Sequence, residues 1–77
     1  MKLTNKFKKV GTSSAYDNTS LYNNSLEIIH IILVENGIIT QRFKMKPRQM
    51  QILPSVAWSR VILARADKKT GELIISK

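Results

Sequence analysis

Through its middle the chain spaces apolar residues as a helix does. Leu26, Ile29 and Leu33 fall on one helical row and Ile28 and Ile32 on the next, following Ser25, whose hydroxyl suits an N-cap. Asn36-Gly37 comes after them, and glycine takes the left-handed conformation that ends a helix without a Cβ clash. The same segment also reads as a strand, because Ile and Val are β-branched and a short apolar run fits either period. From Ile38 to Lys46 the pattern alternates, with Arg42, Lys44 and Lys46 on one side and Phe43 and Met45 on the other. Pro47 suits the first position of a second helix. Met50, Leu53, Ala57, Val61 and Ala64 then recur at intervals of three and four, away from Arg48, Gln51, Ser55, Ser59 and Arg60. Pro54 predicts a kink, since an interior proline removes a helical hydrogen bond.

The two ends carry less pattern. Residues 1–24 scatter few apolar side chains among Asn, Ser, Thr and Lys, which predicts an extended arm. Lys69-Thr70-Gly71 marks a turn, and Glu72-Leu73-Ile74-Ile75 a short strand or partner-bound tail, which a β reading joins to Arg60–Leu63 as a hairpin. The expected fold is therefore mainly α: a small helical domain of two to three helices over 25–65, with an extended basic N-terminal arm over 1–24 and a C-terminal tail over 66–77.

Charge changes the picture more than size does. The 77 residues carry 13 Lys and Arg against 5 Asp and Glu, a formal net charge of +8. Between Ile38 and Ala64 there is no acid, while Arg42, Lys44, Lys46, Arg48 and Arg60 all lie in that window. Concentrated positive charge of this kind points to a polyanion, and RNA is the expected one. Lys2, Lys6, Lys8 and Lys9 stand in an acid-free segment that has no arginine and no amphipathic period. They read as a basic arm on nucleic acid rather than as a targeting segment. Phe7 and Tyr16 are the aromatics there that can stack on bases.

Other chemistry is thinly represented. With no cysteine, disulfides and thiolate zinc sites are excluded. The longest unbroken apolar run, Ile31 to Val34, is far short of the roughly 20 residues of a membrane span. One histidine and scattered acids supply no paired carboxylates and no nucleophile with a base, so no enzyme, metal, cofactor or small-molecule substrate is expected. His30 stands three residues after Glu27, on one face if the segment is helical.

The order of these features resembles a known family. Ile28-Ile29, then Glu35, Gly37, Ile39 and Arg42, and after a short gap Arg48-Gln49, Leu53, Ala57 and Ile62-Leu63, are similar to the pattern of bacterial-type small-subunit ribosomal protein eighteen, over roughly Ser25 to Leu63. The resemblance implies a helical protein that binds small-subunit rRNA and docks beside small-subunit protein six. Trp58-Ser59, Pro54 and the missing glycine between Arg42 and Arg48 depart from that pattern and imply a divergent, organellar member. The implied location is the ribosome of a plastid or mitochondrion, with the bacterial cytoplasm as the alternative.

The expected RNA-binding residues are Lys6, Lys8, Lys9, Arg42, Lys44, Lys46, Arg48, Arg60 and Arg65; Ile28, Ile32 and Trp58 are expected to meet a neighbouring protein. Two other readings stand beside this one. The first is a small β-rich nucleic-acid-binding module, with strands over Leu26–Val34, Ile38–Met45, Val61–Ala64 and Leu73–Ile75. The second is a basic adaptor or inhibitor that binds an acidic protein surface.

Overall fold

The computed structural model of the protein describes residues 1–13, 18–56 and 58–76. Tyr16, expected to stack on bases, and Ala57, expected on the second helix, lie outside them. The described residues form eight strands and no helix: β1 (Lys2–Leu3), β2 (Lys8–Ser13), β3 (Thr19–Asn23), β4 (Ile29–Glu35), β5 (Ile38–Met45), β6 (Met50–Leu53), β7 (Arg60–Ala66) and β8 (Gly71–Ser76). The mainly α expectation is thereby overturned.

The pairing has a simple logic. β4 and β5 are joined by the two-residue turn Asn36-Gly37, both at positive φ (54° and 78°), as a type I′ hairpin turn requires. Moving outward from that tip, β3 pairs with β6, β2 with β7 and β1 with β8, all antiparallel. The chain is thus one long hairpin. It is folded over so that β4 also meets β7 and β3 also meets β8, which gives two four-stranded sheets ordered β1-β8-β3-β6 and β2-β7-β4-β5. Every connection except β4–β5 passes from one sheet to the other. This is the jelly-roll arrangement, here in a short chain.

The first expected helix is β4, flanked on both sides by β7 and β5. Its side chains alternate, with Ile29, Ile31 and Leu33 in the core and Ile32 on the other face yet only 9% exposed. An apolar run buried on both faces has no period of its own, which is why helical spacing fitted it. Ser25 caps no helix; its hydroxyl donates to Asn23 Oδ1 at 2.5 Å. Asn36-Gly37 supplies positive φ to a hairpin rather than to a helix end.

The second expected helix is divided between β6 and β7. Lys46-Pro47-Arg48-Gln49 forms a β-turn, in which Gln49 N–H donates to Lys46 O at 3.1 Å and Arg48 stands at φ 64°. Proline second and a positive φ third is the type II pattern. Pro54 closes β6 instead of kinking a helix. β7 then alternates strictly, with Ile62, Ala64 and Ala66 buried and Val61, Leu63 and Arg65 half-buried on the opposite side. β7 and β8 lie in different sheets, so the hairpin between them is also corrected.

The expected arm is part of the sandwich. β1, β2 and β3 each contribute one buried apolar side chain, Leu3, Val10 and Leu21, to the core between the sheets. Asn23, fully buried at the end of β3, locks this half to the other: its Nδ2 lies 2.7, 3.1 and 3.0 Å from the carbonyls of Glu27, Met45 and Lys46. The expected tail contributes β8, whose Leu73 is buried.

Candidate nucleic-acid interface

Register places the basic residues. On the outer face of the β2-β7-β4-β5 sheet, Lys9 pairs with Leu63, Leu63 with Ile32 and Ile32 with Arg42, forming one row across four strands. At about 4.8 Å between strands, that row spans about 14 Å. The next row runs from Arg65 through His30 to Lys44. Phe7, just ahead of β2, completes it: the Arg65 guanidinium carbon lies 5.3 Å from the ring centroid, a cation–π contact. Arg65 is also tied back along its own strand, with Nη1 donating to the carbonyls of Ala66 (3.1 Å) and Asp67 (3.2 Å).

These two rows surround a cavity of about 300 Å³ lined by Phe7, His30, Ile31, Ile32, Arg42, Phe43, Lys44 and Arg65. Its lining joins apolar side chains to three permanent cations. Asp67, beside it, is engaged by His30, with Nε2 and Oδ1 2.6 Å apart. That bond holds the Asp67 carboxyl below the usual aspartate range against the opposing effect of burial, helped by the positive charge of Lys68 and Arg65.

The opposite surface is different in kind. Alternation along the other sheet turns Ser20, Tyr22, Met50, Ile52, Ile74 and Ser76 outward, and the charges Lys2 and Glu72 stand directly across from each other. Of the described strand residues, four cations, Lys9, Arg42, Lys44 and Arg65, therefore face out of one sheet, whereas Lys2, opposite Glu72, is the cation that the other sheet turns outward.

Of the expected RNA-binding residues, the fold brings Lys9, Arg42, Lys44 and Arg65 together. Lys8 is exposed at the start of β2, and Lys6 lies exposed between β1 and β2. Lys46 and Arg48 are exposed in the β5–β6 turn, where Arg48 Nη1 donates to Asn24 Oδ1. Arg60 is not on the surface. It is 6% exposed, its Nε 3.5 Å from Glu35 Oε1 and its Nη1 donating to Pro54 O at 3.0 Å. The Glu35 carboxylate also accepts from Thr40 Oγ1 (2.7 Å) and Trp58 Nε1, and these two bonds, with Arg60 nearby, keep it below the usual glutamate range.

The expected protein-contact residues scatter. Ile32 sits at the centre of the basic face, Ile28 is half-buried with its carbonyl accepting from Asp67 N–H (2.9 Å), and Trp58 is exposed beside Glu35 at the hairpin end. Glu27 precedes β4 and shares no helix with His30. Its carboxylate accepts the backbone N–H groups of Lys68 and Lys69, the latter at 2.8 Å, and these bonds hold it below the usual range. His30 and Asp67 are the site residues that sequence reasoning missed; the alternation His30, Ile32, Val34 signals an outward row, but only the β4–β7 register brings Asp67 to it.

Among the described residues no group of three His, Cys, Asp or Glu is placed to hold a metal ion, and no helix is long and apolar enough to cross a membrane. Comparison of the chain with protein-family models, curated proteins and solved structures finds no match.

Proposed function

We propose that the protein is a small β-sandwich module that binds nucleic acid through the outer face of its β2-β7-β4-β5 sheet. The observation that carries this reading is the segregation of charge: Lys9, Arg42, Lys44 and Arg65 face out of one sheet beside an acid already engaged by His30, while the other sheet turns out a neutral surface. A face that serves only hydration mixes both signs. Jelly rolls host many functions, so the fold supplies the platform and the side chains supply the argument. Small-subunit rRNA, expected from the sequence, is one polyanion of this kind.

The mechanism is electrostatic and involves no turnover. Each phosphate neutralised by a cation releases condensed counterions, so affinity falls linearly on a logarithmic salt scale with a slope of about 0.7–0.9 per contact. Titrating an oligonucleotide at several salt concentrations tests it. Arg42→Ala with Lys44→Ala should shallow the slope by about 1.5 while far-UV circular dichroism stays unchanged. An unaltered slope, or binding to polyglutamate as tight as to nucleic acid, overturns the proposal.

A further inference from the structure

Resting on the nucleic-acid reading, we infer that the cavity between Phe7, Ile32 and Lys44 takes one unpaired nucleotide, so that the protein selects single strands over duplexes. A duplex offers a protein surface its phosphates and the polar edges of its bases, while the apolar faces of those bases are stacked inside. Phosphates alone are served by exposed lysines on any face, and an apolar hollow adds nothing to their binding. This face is built otherwise. Ile32 points outward from the central strand yet is only 9% exposed, with Arg42 beside it on one neighbouring strand and Leu63 on the other. Phe7 keeps 40% of its surface exposed although Arg65 already lies against its ring.

The volume, about 300 Å³, is at the small end of ligand pockets, room for one planar base with its attached phosphate. Its composition suits that ligand. A base is flat and apolar on its faces, and it can extend the Phe7–Arg65 stack or lie over Ile32. The phosphate bonded to its sugar is then within reach of Arg42 and Lys44, of which Arg42 presents a planar donor fork suited to a phosphate, while Arg65, its Nη1 held by the carbonyls of Ala66 and Asp67, stays on the Phe7 ring. His30 has one ring nitrogen committed to Asp67, which leaves Nδ1 as its remaining polar atom for the base edge.

The experiment compares three probes of equal length at one salt concentration, by fluorescence anisotropy with the full chain: a single-stranded oligonucleotide, its duplex, and an abasic single strand. The single strand should bind at least about tenfold tighter than the other two. Phe7→Ala should remove that preference, a loss of the order of tenfold, without altering the salt slope, while Phe7→Tyr should retain it. Equal, salt-dependent binding of all three probes leaves the nucleic-acid reading standing and overturns this one, as does a Phe7→Ala variant that folds and keeps the preference. Binding of none of the three overturns both.

Discussion

Nε2 of His30 lies 2.6 Å from Oδ1 of Asp67, a contact from the central strand β4 to the residue that follows β7. It fastens the end of β7 and also withdraws an acid from a face that is otherwise basic. The hydrogen bond from His30 lowers the Asp67 pKa in the folded protein, so the carboxylate contributes stability at pH values above the ordinary aspartate range. That contribution is lost as the pH falls through the lowered value. Asp67→Asn should therefore be less stable than the wild type at neutral pH, with the difference narrowing as the pH is taken down through the ordinary aspartate range and below it. Urea unfolding across that interval checks it, and a gap that does not narrow would remove the linkage. The same variant should bind nucleic acid more tightly at low salt, the gain vanishing as salt screens it.

Gly37 stands at φ 78° with nothing within 4 Å of where a Cβ would be. Steric crowding by neighbours is therefore absent, and what an alanine would meet is its own backbone in the left-handed region. Gly37→Ala should cost about 1 kcal/mol, seen as a lower urea midpoint at unchanged slope. Affinity for nucleic acid should not move, because the turn lies at the opposite end of β4 and β5 from His30 and Lys44.

How much of this was legible depends on the range over which each feature is encoded. The Arg42, Phe43, Lys44, Met45 alternation is local, and β5 follows it: Met45 is buried, Phe43 packs on the core, and the two cations face out. The preference of Asn36-Gly37 for positive φ was equally local, but helix ends and type I′ turns share it, so it could not choose between them. β1, β2 and β3 were hidden because each short strand places one apolar residue in the core, too sparse in sequence to distinguish from an arm. Their stability comes from pairing with β6, β7 and β8, tens of residues away. Four of the expected cations are on the basic face for the same reason that Phe7 and His30 join them: register between remote strands, which no local pattern displays.

Arg60 and Glu35 bear on the opposite end of the sandwich. Arg60 is buried with its Nε 3.5 Å from Glu35, which makes it a structural residue although it lies in the acid-free window. Glu35→Gln keeps an acceptor oxygen for only one of Thr40 and Trp58 and leaves the guanidinium without its countercharge, and should lower the urea midpoint. Arg60→Met added to it removes the orphaned charge. The double variant should lie closer to the wild type than the sum of the two single changes, a coupling that a double-mutant cycle measures directly. Strict additivity would mean that the pair does not act as one.

Asn23 offers the sharpest separation of shape from hydrogen bonding. Its amide nitrogen faces three carbonyl oxygens, those of Glu27, Met45 and Lys46, and its Oδ1 accepts from Ser25. Asn23→Ala leaves those carbonyls short of a donor in a buried site, at a cost of about 1–3 kcal/mol for each group left unsatisfied. A domain of this size has only about 4–12 kcal/mol of stability in total, so one such loss is large. Asn23→Asp preserves the outline of the side chain and the partnership with Ser25 but turns a carboxylate oxygen toward three carbonyls. If donation by Nδ2 is what joins β3 to the end of β5, aspartate must be worse than alanine at neutral pH, and lowering the pH until that carboxyl is protonated must recover part of the difference. Were volume the controlling factor, the order would reverse, with aspartate close to the wild type and alanine the damaging change.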